Sequence, residues 1–156
     1  MPEAPSIHAS CVLVGATAVL IRGASGTGKS RLAHDLIEAG RRGDTPFARL
    51  VSDDRTLLEP LNGRLLARPA PVLHGLLELR HLGIKTMPFE PAAVVGLVVD
   101  LTADAERLPE TRFAEVAGIR LPRLEVPEKE RVFPLILAEL EALRAAREAR
   151  ILLAEK

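Results

Sequence analysis

Gly23-Ala24-Ser25-Gly26-Thr27-Gly28-Lys29-Ser30 is the segment of this chain best suited to chemistry. It fits the pattern G-x-x-x-x-G-K-[ST]. Glycines at these positions let the backbone curl so that successive N–H groups converge on phosphate oxygens. A helix starting after them adds the positive end of its dipole. In such a loop the lysine ammonium reaches the β- and γ-phosphates and the serine hydroxyl ligates magnesium. The expectation is a nucleotide with Mg2+, gripped by Gly23, Ala24, Ser25, Gly26, Thr27, Gly28, Lys29, Ser30 and the adjoining Arg31.

Phosphoryl transfer also needs a carboxylate near the metal and a base near an acceptor hydroxyl. Two places offer one. Asp100 closes the apolar run 94–101, as the carboxylate of a Walker B strand does. Asp53-Asp54 closes a shorter strand over 48–52, and one member of that pair could face the metal while its neighbour faces the acceptor. Either could equally be a strand-end carboxylate opening a turn. Spacing alone leaves the two sites open. His8, His34, His74 and His81 have no second ligand at metal spacing, and each alone reads as a surface or structural residue. Cys11 reads as a small core residue.

The elements that must hold these residues follow from periodicity. Residues 7–14 and 17–21 read as strands, the second running into the glycine loop. Leu32, Leu36 and Ala39 then recur at helical spacing, with Gly40 placed to end that helix. Residues 41–47 read as a loop and 48–52 as a strand. Asn62-Gly63 between two short apolar runs is a hairpin signal. Residues 73–79 read as a helical turn leading into a strand, and 94–101 as a central strand. Residues 111–117 predict a short helix and 124–126 a strand. Residues 134–153 predict a C-terminal helix with Ile136, Leu140 and Leu143 as its apolar stripe and Pro134 in its first turn.

The 156 residues are 47% hydrophobic and 27% charged, which supports one buried core in a single domain over 1–156 and excludes a largely disordered chain. Residues 1–5 are expected to be disordered and 150–156 to fray. Lys plus Arg equals Asp plus Glu, 21 each. That balance argues against a general nucleic-acid or membrane-surface binder. The absence of Trp and Tyr removes the usual stacking platforms. One cysteine cannot form an intrachain disulfide and suits a reducing compartment. The N-terminus shows no basic and apolar leader, and no apolar stretch approaches the roughly 20 residues that span a bilayer. The expected location is the cytoplasm.

With these residues in view, the chain resembles the catalytic domain of HPr kinase/phosphorylase, the bacterial enzyme that phosphorylates a serine of the phosphocarrier HPr. The resemblance runs from about residue 8 to about 139. It rests on the His-x-x-x-Val start at His8 and its interval to the glycine loop, on that loop, on Leu50-Val51-Ser52-Asp53-Asp54-Arg55, and on Leu77-Glu78-Leu79-Arg80-His81-Leu82-Gly83-Ile84. It implies an α/β P-loop domain similar to the nucleotide-binding part of phosphoenolpyruvate carboxykinase, with a mixed sheet and a C-terminal helix. It implies ATP and Mg2+ as cofactors and an HPr-like protein as partner, in an oligomer, commonly a hexamer. It makes Asp54 the proton acceptor, places His8 beside it, and assigns the metal to Ser30 and Glu78 with Asp53 supporting it or its waters. Asp100 then becomes structural.

The chain also departs from the family pattern. Long members carry an N-terminal domain that this short form lacks, and residues 42–48 look inserted. After Gly83 the segment Lys85-Thr86-Met87-Pro88-Phe89-Glu90 replaces a longer acidic loop. Lys129-Glu130-Arg131-Val132 sets an arginine one position early, so Arg131 stands for the family's catalytic arginine. The region tied to dephosphorylation is poorly matched, which weakens phosphorolysis more than kinase action. Such short forms resemble those of bacteria whose phosphotransferase proteins regulate rather than transport sugar. Two other readings remain at this point. One is a small-molecule kinase with a lid drawn from Arg107, Arg112, Arg120 and Arg123. The other is a non-catalytic ATP-sensing module.

Overall fold

The apolar run that predicts a central strand becomes the axis of the fold. A computed structural model describes residues 5–105 and 112–155. Its strands are β1 (Ser6–Ile7), β2 (Ala9–Val14), β3 (Thr17–Gly23), β4 (Ala48–Ser52), β5 (Thr56–Leu61), β6 (Arg64–Pro69), β7 (Leu76–Leu79), β8 (Gly83–Thr86), β9 (Ala93–Thr102), β10 (Phe113–Val116) and β11 (Ile119–Pro127). The helices are α1 (Lys29–Arg42) and α2 (Phe133–Ala154), with a single 3-10 turn at Pro71–Leu73. β9 is nearly buried throughout. β3 lies parallel along one of its edges. Its other edge is shared: β6 pairs antiparallel with its first residues, and β11 pairs parallel from Val98 to Thr102.

The mixed sheet has the order β1-β5-β6-β9-β3-β2-β4, with β10 added on β11. β7 and β8 form a separate hairpin. β2 is antiparallel to both β3 and β4, so β3, β4, β9 and β11 all run the same way. Their carboxyl ends therefore share one side of the sheet with the start of β2. That side is where open α/β sheets bind ligands, because the connecting loops leave a crevice there.

Two irregularities set what faces what. In β9 the pairing with β3 slips between Ala18 and Val19, so Gly96 is an extra residue. A side chain there would sit 2.6 Å from the Thr17 methyl, which only glycine avoids. The slip reverses the side-chain parity: Val95 packs on one face of the sheet, and Leu97, Val99 and Leu101 on the other. A second slip, in β2–β4 between Cys11 and Val12, makes Val51 the extra residue. One core cluster joins β3 and β9 to Leu32, Leu36 and Ile37 of α1 and to Phe133 and Ile136 of α2. The other gathers Cys11, Leu20, Val51, Leu58, Leu65 and Val98 on the opposite face.

Three expectations change. Gly40 does not end α1. The helix continues to Arg42 and closes at Gly43, whose left-handed backbone lets its own N–H and that of Asp44 cap the Gly40 and Ala39 carbonyls. Gly40 is instead a packing glycine, where a Cβ would come within 2.8 Å of the Ala48 Cβ. The helix expected over 111–117 is strand β10, joined to β11 by Ala117-Gly118 with φ of 50° and 80° (Thr111 lies outside the described residues). That is the same two-residue primed turn that Asn62-Gly63 makes between β5 and β6. Finally, the short strand expected at 124–126 is the end of the nine-residue β11. α2 matches its expected start and runs on to Ala154.

Candidate active site

The loop over residues 23–30 leaves β3 and enters α1. Gly23 cannot carry a side chain: a Cβ there would sit 2.6 Å from the Thr27 hydroxyl and 3.1 Å from the Leu101 carbonyl oxygen. Gly26 and Gly28 have φ of 84° and 102°, with open space where side chains would project. Gly28 caps α1 without a side-chain acceptor for the first-turn N–H groups. Those donors, together with the dipole, face outward at an open helix start, which suits an anion. Lys29 is buried and donates from Nζ to the Gly23 and Ala24 carbonyls at 2.8 and 3.1 Å. The ammonium has three protons, so one remains for a further partner.

The end of β4 meets this loop through Asp53. Its Oδ1 accepts the Ser30 hydroxyl at 2.7 Å, and its Oδ2 accepts the Glu78 backbone N–H at 3.0 Å. A third donor, the Ser10 hydroxyl of β2, reaches Oδ1 at 2.7 Å. An ionised carboxylate has about four acceptor sites, so Asp53 keeps about one. Ser30 gives its hydrogen to Asp53 and keeps its lone pairs for a cation. This donor set suits magnesium, which takes one or two protein oxygens and completes its shell with water and phosphate. Among the described residues no group of three His, Cys, Asp or Glu side chains is gathered for a metal, so phosphate and water would have to supply the rest. Glu78 approaches through its main chain, and its side chain is exposed on the β7–β8 hairpin.

Asp54 differs from its neighbour in exposure, backbone conformation and partners. Its side chain is 68% exposed, whereas Asp53 is buried. Its φ is 63°, and the Arg55 N–H closes a three-residue turn onto the Asp53 carbonyl at 2.7 Å. A left-handed aspartate in so tight a turn is a strained conformation of the kind found at functional sites. His8 Nδ1 lies 3.7 Å from Asp54 Oδ1. The expected site residues His8, Lys29, Ser30, Asp53 and Asp54 therefore lie on one side of the sheet, with Asp54 and His8 open to an incoming molecule.

The sequence matches the family described as HPr Serine kinase C-terminal domain over residues 1–134. The chain belongs to this family. HPr kinase/phosphorylase of Streptococcus sanguinis is 32% identical over 143 residues, 83% of this chain and 44% of that protein. HPr kinase/phosphorylase of Clostridium beijerinckii is 38% identical over 78 residues, 50% of this chain and 24% of that protein. The solved structure of the Hpr(Ser) kinase/phosphatase from Coxiella burnetii aligns with a TM-score of 0.78 at 25% identity, covering 92% of this chain and 99% of that one. This HPr serine kinase domain thus spans under half the length of the curated relatives it matches. Its fold, a mixed sheet with a C-terminal helix, is that of the HPr kinase catalytic domain.

Three further expectations can be located in this kinase-family fold. Asp100 accepts both Arg22, at 2.7 and 2.8 Å, and Arg123. Burial raises its pKa, but the bonds from the two arginines outweigh burial and hold the carboxyl below its ordinary range. Asp100 is thus a cross-strand tie joining β3, β9 and β11. The arginines offered as a lid are dispersed. Arg123 is bound to Asp100 and Glu125, Arg120 stacks on Phe113, and Arg107 lies outside the described residues. Arg131 follows β11 in a segment tied to the glycine loop by the Lys129 N–H on the Thr27 carbonyl at 3.3 Å. Its guanidinium lies 4.8 Å from the centre of the Phe133 ring. Ser10 carried no signal in the sequence, because its partner is 43 residues away.

Proposed function

We propose that this domain transfers the γ-phosphoryl group of ATP, with magnesium, to a serine hydroxyl of an HPr-like phosphocarrier protein, as a cytoplasmic regulator of a phosphotransferase system. The observation that carries the reading is the division of labour in the Asp pair. Asp53 is buried and bonded to the loop serine, and Asp54 is exposed beside His8. Magnesium, when bound, would supply charge neutralisation for the transferring phosphoryl group. The loop N–H groups and Lys29 hold the triphosphate, and Arg31 extends that positive surface. Ser30 and Glu78 would hold the magnesium, and Asp53, bonded to Ser30, would support the metal or its waters. Asp54 accepts the proton of the acceptor serine. The serine oxygen bonds to the γ-phosphorus, the bond to the β–γ bridging oxygen breaks, and ADP leaves. His8 orients the Asp54 carboxylate. Arg131 leaves its stack on Phe133 to meet the transferring group.

The domain works as a homo-oligomer, a hexamer as the resemblance implies. Support comes from the aliphatic surface that α2 leaves exposed at Leu135, Ile151, Leu152 and Leu153. Sedimentation velocity tests it, and a monomer at micromolar concentration would remove it. The activity is tested with γ-labelled ATP, magnesium and HPr carrying its serine or an alanine. Label is expected on the serine form only. Asp54→Asn is expected to keep ATP binding by calorimetry and to lower transfer by roughly 10²–10⁴-fold, the range for a general base. Retained transfer in that variant would sink the base assignment. ATP bound with no label on either carrier would favour a sensing module, and turnover of a sugar or nucleotide without any protein acceptor would favour a small-molecule kinase.

A further inference from the structure

Ser10 is fully buried and sits where β2 opens onto the site. Its place there depends on the slip between β2 and β4. With Val12 opposite Leu50, a regular ladder would set Cys11 against Val51 and Ser10 against Ser52. The extra residue moves the pairing to Cys11 opposite Ser52, so the next position toward the site sets Ser10 against Asp53. The Ser10 hydroxyl donates to Asp53 Oδ1 at 2.7 Å and faces the Asp54 N–H as acceptor at 3.5 Å. A hydroxyl is among the few small groups that can do both at once.

We propose that Ser10 is a positioning residue whose hydroxyl holds the metal-side Asp53 and the strained Asp54 turn as one rigid unit. The inference rests on the phosphoryl-transfer reading above. Three elements aim donors at the Asp53 carboxylate: β2 through Ser10, α1 through Ser30 and β7 through the Glu78 N–H. Of these, only Ser10 also bonds the Asp54 main chain. Without the hydroxyl, Asp53 turns more freely about Ser30, and the left-handed Asp54 loses the side-chain acceptor that helps to hold it. The role acts through the carboxylates, so it touches the metal-dependent part of nucleotide binding and the transfer step, and leaves the loop's own grip on phosphate alone.

The test compares Ser10→Ala and Ser10→Thr with the parent chain. ATP affinity is measured by calorimetry with magnesium and with chelator, and kcat and KM by transfer to HPr. In Ser10→Ala, affinity in chelator is expected to stay within about twofold of the parent. The gain from magnesium and kcat are both expected to fall roughly 10–100-fold, as when a hydrogen-bond partner of a metal-site group is removed. Ser10→Thr keeps the hydroxyl and is expected to stay within about fivefold on both. Parent-like magnesium gain and kcat in Ser10→Ala would overturn the proposal, as would a parent chain with no magnesium gain. Equal losses in both variants would assign the effect to packing and overturn it too. If Ser10→Ala melts below the assay temperature, Ser10→Cys decides, since it keeps the size and weakens the bond; unchanged values there overturn the role. A parent chain that gains affinity from magnesium yet labels no carrier would remove the acceptor assignment, with Ser10 still judged by calorimetry.

Discussion

Lys29 shows how much of the site is set one residue at a time. Its aliphatic stem is buried under the loop, and its ammonium is already bonded to two loop carbonyls. Replacing it with Met keeps the stem and removes the charge. MgATP affinity is expected to fall roughly 10–100-fold by calorimetry, the worth of one or two charge-assisted bonds. Cys11 is the converse case. Burial pushes its thiol up to about 12, so little thiolate exists near neutral pH. Thiol reagents are expected to modify it only as fast as the whole domain unfolds, and labelling followed against denaturant checks this. Both residues were legible in the sequence: a lysine at a fixed loop position and a lone cysteine in an apolar run need no tertiary information. Ser10 was illegible because its role depends on a strand slip, and no residue type announces one.

Elements were legible where their pattern was plain: α1 by its helical spacing, β3 and β9 as short apolar runs ending at a glycine or an aspartate, and α2 by its length and its Ile136, Leu140 and Leu143 stripe. They were misread where a small residue carried two meanings. Gly40 looked like a helix end, yet it is the contact that lets α1 lie against the start of β4. An added methyl there has a gain in helix propensity of about 1 kcal/mol, set against a Cβ placed 2.8 Å from Ala48 Cβ and 2.9 Å from its backbone N. Overpacking wins, because a strand backbone cannot move aside cheaply. Gly40→Ala is expected to lose about 1–2 kcal/mol in urea unfolding and Gly40→Val more, within the range for forced core insertions. A stabilised Gly40→Ala would show that the interface is looser than its geometry. Ala117-Gly118 was missed for a related reason: alanine is not a residue that ordinarily signals a positive φ, so the turn hid inside what read as a helix.

At the scale of the whole molecule, Asp100 ties together the three parallel strands β3, β9 and β11. Its pKa is depressed in the fold, so its contribution to stability is complete well above the ordinary value of 3.8 and disappears as pH falls through the lower folded value. Asp100→Asn is expected to be about 3 kcal/mol less stable at pH 7, since two arginines lose a mostly buried partner. It is also expected to lose less of its remaining stability than the parent between pH 4 and 2. Melting temperatures across that range check both signs. From sequence, Asp100 was one of two equal candidates for the metal side. Spacing leaves them level and the family resemblance makes Asp100 structural; the fold gives the physical reason, two arginines on Asp100 and the loop serine on Asp53.

The strand order has a consequence for how the protein is made. β3 sits between β2, its predecessor in the chain, and β9, which is synthesised much later. A growing polypeptide emerges from the ribosome with the glycine loop complete while the strand that must flank it is still untranslated. Leu101, against which Gly23 closes, belongs to that late strand. Nascent chains that end before β9 are therefore expected to have no formed loop for ATP to find, so nucleotide cannot guide early folding and can only tighten the finished domain by mass action.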